Sequence, residues 1–114
     1  MRVGSWGGAT LWAVSVTLLG TAGSATPPTG ATQSHTISIE NMQFSPAQLA
    51  VHRGDRVVWV NKDLFPHTAT ANNKAFDSGS IAAGSSWTYV ANKPGDYAYG
   101  CTFHPTMKAA LKVQ

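Results

Sequence analysis

Apolar and polar residues alternate with a period of two along most of the chain from Ser34 onward, the spacing of half-buried strands rather than of helices. Thr36-Ile37-Ser38-Ile39 alternates cleanly, and the apolar positions then resume at Met42 and Phe44 with the opposite parity. An extra residue near Glu40-Asn41, forming a bulge, is the expected device that keeps both pairs facing the core. Leu49 and Val51 mark the next short strand. Arg53-Gly54-Asp55 is a turn, and Val57-Val58-Trp59-Val60 is rich in β-formers. Asn61 to Pro66 reads as a loop, because Pro66 removes a ladder donor, and Thr68-Ala69-Thr70 is expected to begin a strand at His67.

Asn72 to Ser86 is a long connection anchored by Phe76 and Ile81. Trp87 and Tyr89 share one face of a strand, and Lys93-Pro94-Gly95-Asp96 turns the chain. Tyr97, Tyr99 and Cys101 share a parity, so the thiol points wherever the tyrosines point. In the last strand Met107, Ala109, Leu111 and Val113 alternate with Lys108, Ala110 and Lys112. The pattern predicts an all-β fold, an antiparallel Greek-key β-sandwich of seven to eight strands, with no internal repeat.

Residues 1–33 do not share this pattern. Arg2, the apolar run Leu11 to Gly20 and the small residues Gly23-Ser24-Ala25 have the three parts of a secretory signal. The expected organisation is a signal peptide over 1–25, a flexible mature N-terminus over 26–34 and one domain over 35–114. The apolar run is too short to span a bilayer, so cleavage and export to the periplasm are expected over retention as an anchor. The formal charge of +3 falls to +2 with Arg2 removed, and the remaining cations are scattered, which excludes a nucleic-acid stripe.

Composition bears on the chemistry through cysteine. The chain has 1 cysteine, so no intramolecular disulfide can staple this small domain. A lone thiol in an exported protein is free, paired between chains, or held by a metal. Cys101-Thr102-Phe103-His104-Pro105-Thr106-Met107 favours the last, because it places a thiolate, an imidazole and a thioether at every third position. A trigonal set of two histidines and a cysteine, with a weak axial thioether, suits a copper ion moving between Cu(I) and Cu(II). The missing imidazole is assigned to His67, which follows a proline in an apolar Leu64-Phe65-Pro66 run. His35, near the N-terminus, and His52, at a polar turn, read as solvated.

Three further stretches support this assignment: Arg53 to Asn61, Phe65-Pro66-His67 and Gly95 to Cys101. With the C-x-x-H-P-x-M loop they make the chain from about Met42 onward resemble the small type 1 (blue) copper proteins of the plastocyanin/amicyanin-like cupredoxin family. The resemblance implies that His67, Cys101, His104 and Met107 hold one copper ion, and that the protein carries single electrons between larger redox proteins. It departs from the family pattern at Thr68, where Asn or Ser is usual, and within the loop at Phe103 and Thr106. Phe103 restores a backbone N–H, which should withdraw electron density from the thiolate and raise the reduction potential if it points at the Cys101 sulfur.

The expected protein is a monomer with no catalytic residues, no nucleic-acid partner and no stable membrane insertion. Redox partners are expected to dock on an apolar surface around His104, built from Leu64, Phe65, Pro66, Phe103 and Pro105. Copper storage or delivery is the competing reading. A Cys101/His104 hydrolase lacks an orienting acid, and structural zinc is disfavoured by Met107.

Overall fold

Ile37 and Ile39 are fully buried on the strand where the period-two pattern begins, and they lie against Trp59, the largest fully buried side chain. The computed structural model describes residues 7, 8, 10, 12–17, 20, 23 and 31–114. Its strands are β1 (Ser34–Glu40), β2 (Gln43–Ser45), β3 (Gln48–Val51), β4 (Arg56–Asn61), β5 (Thr70–Ala71), β6 (Ser86–Val90), β7 (Gly95–Cys101) and β8 (His104–Val113). They form two four-stranded sheets, ordered β2-β1-β4-β6 and β3-β8-β7-β5. The signal-peptide boundary at Ala25 and the segment 24–30 lie outside the described residues. Among the described residues no helix is long and apolar enough to cross a membrane.

The sandwich and its eight strands match the sequence expectation, but the pairing is mixed rather than purely antiparallel. β1 runs parallel to β4, with Ser34 opposite Arg56 and Ile39 opposite Asn61, and β3 runs parallel to β8. Parallel neighbours need a crossover. Here the chain after β1 passes through β2 and β3 before returning as β4, and that route changes sheets.

The expected bulge near Glu40-Asn41 is a hairpin turn instead. Glu40 pairs with Gln43, and Asn41 and Met42 between them both have positive φ, 54° and 61°. A two-residue turn with both residues in the left-handed region matches the twist of antiparallel strands. It changes the parity of the apolar positions as a bulge would, which is why the two are alike in sequence. Phe44 is buried after the turn, whereas Met42, at its apex, is 38% exposed.

The core is aromatic. Trp59 packs against Phe76, Trp87 and Tyr99 with ring centroids 5.6, 5.5 and 5.5 Å apart, the last edge-on. Pairs of this kind contribute about 0.5–1.5 kcal/mol each beyond the area they bury. They join the two sheets, since Trp59 and Trp87 come from one and Tyr99 from the other. Phe76 anchors the long connection, as its position in the sequence suggested.

At the far end of β1 and β4, Asp55 gathers the chain. Its side chain accepts from the N–H groups of Gln33 and His52 and lies 3.0 Å from His35 Nε2. The Gln33 N–H, then His35 and the His52 N–H, hold its carboxyl at about 2. A carboxyl with a lowered folded-state value stabilises the fold above its unfolded value near 4, and that contribution disappears as pH falls through about 2. Replacing Asp55 with asparagine is therefore expected to lower the unfolding temperature at neutral pH and to flatten its decline between about pH 4 and 2. Parallel curves for the two proteins would show that Asp55 is not the titrating brace.

Candidate metal centre

His67, Cys101 and His104 meet at the end of the sandwich opposite Asp55. Cys101 closes β7 on the inward parity shared with Tyr97 and Tyr99, and all three are buried. β8 begins at His104, so Thr102 and Phe103 are the two residues of a hairpin turn, with Cys101 paired to His104. The ladder register then jumps, because Gly100 pairs with Lys108. Residues 105–107 are the excess on β8, and Met107 returns to the buried face within it. Metal-ligand spacing in the sequence thus becomes a hairpin turn plus an irregular ladder.

Gly100 makes that irregularity possible by close approach. A Cβ built on it would lie 2.6 Å from the Met107 carbonyl oxygen, a backbone atom with nowhere to go. Gly100→Ala is expected to push β7 and β8 apart at this point and to destabilise the protein by about 1–3 kcal/mol. Chemical denaturation that finds the variant as stable as the parent would mean that the strands separate freely there.

His67 is fully buried and locked by backbone hydrogen bonds in both directions with Ile81, 3.1 and 2.7 Å long. Those pairings use the backbone at His67, so the regular strand is shorter than expected and covers only Thr70–Ala71. Buried Asn61 shapes the preceding loop. Its Nδ2 donates to the carbonyls of Phe65 and Ile81, and its Oδ1 accepts from the Asp63 N–H.

The loop aims Asp63 at His67, with Oδ2 2.8 Å from Nε2. Burial pushes the Asp63 carboxyl up, but hydrogen bonds from the Met42 N–H, His67 and the Asn41 N–H outweigh it and hold it below its usual value. An ionised carboxylate can only accept, so His67 carries its proton on Nε2 and leaves the Nδ1 lone pair for the centre. Asp63 also accepts from the N–H groups of Asn41 and Met42 at 2.7 and 3.0 Å, which ties the β1–β2 turn to the same histidine.

Nδ1 of His67 lies 3.7 Å from Cys101 Sγ, and Nδ1 of His104 lies 3.6 Å from it. All three donor atoms fall within 4.8 Å of one another. Metal–nitrogen and metal–thiolate bonds of about 2.0–2.3 Å put donors sharing one ion about 3.6 Å apart, so the set fits a single metal ion. Thiolate with two imidazoles is a borderline-soft set, suited to copper or zinc rather than to magnesium or calcium. Met107 is buried three positions after His104, on the inward face of β8.

The condition set on the Phe103 N–H is not met, because the backbone donor to the thiol comes from another segment. Among the described residues it is the Thr68 N–H, 3.3 Å from Sγ, and not that of Phe103. Thr68 also accepts the Thr102 N–H at 2.9 Å, joining the segments that carry His67 and Cys101. His35 and His52 stand apart from the centre, with their nitrogens 3.0 and 4.0 Å from Asp55. Asp63, Asn61 and Thr68 are the residues whose roles the sequence reading missed or left open. The one sequence cue for Asp63 is a carboxylate four positions before a histidine in a loop stiffened by proline.

A strand sandwich that closes a His-Cys-His donor set at one end defines a small single-centre metal-binding domain. The Cupredoxin-like domain family model matches residues 8–113, and the chain belongs to that family. It is 28% identical over 92 residues to amicyanin-alpha of Methylorubrum extorquens, covering 76% of this chain and 75% of that protein. Among solved structures, a Cu(I) form of an amicyanin variant superposes with a TM-score of 0.67 at 25% identity, over 74% of this chain and 85% of that one. A copper-containing nitrite reductase from Thermus scotoductus superposes with a TM-score of 0.67 at 26% identity, over 71% of this chain but only 22% of that one.

Proposed function

We propose that this chain is an exported, periplasmic carrier of single electrons that holds one copper ion through His67, Cys101, His104 and Met107. The observation that carries the reading is the convergence of two imidazole nitrogens and a buried thiol within 4.8 Å, in a frame already fixed by backbone and carboxylate hydrogen bonds. Bound copper supplies a one-electron couple between Cu(I) and Cu(II). The chain's own part is to hold the donors still, which keeps reorganisation small, and to keep water out. Burial of His67, Cys101 and Met107 supports that role.

His104 is only partly buried, its ring centroid 5.0 Å from that of His67, and the loops that carry the two histidines expose apolar residues: Leu64 at 89%, Phe65 at 61% and Phe103 at 51%. With Pro66 and Pro105 they offer a redox protein an apolar surface to dock on. No enzymatic role is assigned. The nitrite reductase is matched over a fifth of its length, and His35 and His52 are engaged by Asp55. Copper delivery would favour exposed soft donors, and the partly exposed Met42 sits on the turn held by Asp63.

Adding Cu(II) to the metal-free protein tests the reading directly. An intense blue thiolate-to-copper band with narrow copper hyperfine splitting in EPR is expected, and a pale, tetragonal spectrum would refute it. Self-exchange of the loaded protein, followed by NMR at increasing ionic strength, should change little because docking is apolar. Steep salt dependence would point to a charged patch instead. Met107→Leu should keep the blue band and raise the reduction potential, since it removes a weak donor without adding a polar one. A lowered potential in voltammetry would remove Met107 from the ligand set.

A further inference from the structure

A hydrogen-bonded line leads away from the centre to a carboxylate on the long connection. Thr68 and Thr70 are buried, and Asp77 is exposed at the outer end of the line. Thr70 Oγ1 lies 3.0 Å from Thr68 Oγ1 and 3.0 Å from Asp77 Oδ1, placed to donate to either. Thr68 Oγ1 in turn accepts the Thr102 N–H at 2.9 Å and lies 3.2 Å from Thr102 Oγ1. The line therefore begins at a surface carboxylate and ends between the segments that carry His67 and Cys101.

Counting hydrogens limits how it can be arranged. Each hydroxyl has one hydrogen to give, so Thr70 cannot serve both neighbours fully. Thr70 therefore shares its hydrogen between Thr68 and Asp77, while Thr68 and Thr102 keep one further bond between their hydroxyls, in which either can donate. A carboxylate accepts and cannot donate, and a bond to an ionised acceptor is the stronger one, so Asp77 holds the Thr70 side chain in the rotamer that also reaches Thr68. The Gly79 N–H, then the Thr70 hydroxyl, hold the Asp77 carboxyl below its usual value, which keeps it ionised at neutral pH.

We propose that Asp77 is a positioning residue for the metal centre: as an acceptor-only group it anchors the Thr70 hydroxyl against Thr68, at the joint between the two ligand-bearing segments. This anchoring acts on the thiolate through the Thr68 N–H, the backbone donor on Cys101 Sγ. Hydrogen bonds in a line polarise one another, so an end group is felt along its length. Asp77 touches neither ligand; its connection runs through Thr70 and Thr68. This inference rests on the copper reading for its redox consequence and on hydrogen-bond geometry alone for its structural one.

Asp77→Asn keeps the volume and can donate, and Thr70→Val keeps the shape and breaks the line. Each is expected to weaken Cu(II) binding by about tenfold, to raise the reduction potential and to shift the thiolate-to-copper band. The double variant should move the potential no further than the larger single change, and Thr70→Ser, which retains the hydroxyl, should restore it. Hydrogen exchange of the Thr68 amide, read by NMR in the metal-free full chain, should speed up in both single variants. That measurement stands even if wild-type protein gives no blue band, which would refute the copper reading instead. Additive potentials in the double variant, or unchanged Thr68 exchange in the single variants, would overturn the proposal.

Discussion

Serine in place of Cys101 is expected to leave the protein folded and, with Cu(II) added, without intense blue colour. The thiolate is the source of the charge-transfer band, and a hydroxyl at the same place is a harder, protonated and far weaker ligand. The fold should survive because its stability lies elsewhere. Cys101 sits at the end of β7, while the contacts that join the sheets run through Trp59, Phe76, Trp87 and Tyr99. Serine does place a hydroxyl at the edge of the core, where Cys101 is 5% exposed and where the Thr68 N–H, already directed at the sulfur, can satisfy it. Absorption and circular dichroism spectra of the same sample separate the two effects. Persisting intense blue would refute the ligand assignment, and loss of folded structure would show that the core needs the sulfur.

Removing the Asp63 carboxylate should have the second largest effect. In Asp63→Ala, His67 loses the acceptor that fixes its tautomer and ring orientation, and losses of this kind weaken metal binding by about 10–100-fold. The change also frees the Asn41 and Met42 N–H groups, which stand in the left-handed region and depend on Asp63 for partners. Competition titration against a chelator of known affinity measures the first consequence. Asp63→Asn separates the two, because an amide oxygen can still accept from the turn or from His67 but carries no charge. If both variants bind copper as tightly as the parent, the carboxylate does not orient His67.

How much of this was legible depends on the range over which each feature is encoded. Strands were legible because alternation is local: Ile37 and Ile39, Tyr97 and Tyr99, and Leu111 and Val113 are all buried as their parity required. The parallel pairing of β1 with β4 was not, since nothing in either strand specifies the direction of a partner 22 positions away. The turn at Asn41-Met42 was read as a bulge because both devices shift parity by one, and neither residue is the glycine that usually marks a tight hairpin. That Cys101 and His104 stand together was legible from their spacing within one short segment, that Met107 is buried from the parity of the last strand, and that His67 joins the two from its apolar surroundings. The partners of His67 and Thr68 were not. Asp63 reaches His67 only after Asn61 has bent the loop, and Asp77 reaches Thr70 only after the connection has folded back.

The parallel placement of β1 has a practical consequence for attaching this protein to anything else. The chain enters the sandwich at Gln33 and Ser34, beside Asp55, whereas the other end of β1 is the turn clasped by Asp63 next to His67. Seven residues of strand separate these points, about 20 Å of rigid spacer. A fusion partner, a purification handle or a gold-binding sequence joined at the N-terminal side therefore holds the domain by its far pole. On an electrode such a graft would direct the His104 edge outward into solution, open to a soluble partner but poorly wired to the metal surface beneath. A cysteine handle engineered among the exposed residues near Leu64 would reverse that orientation.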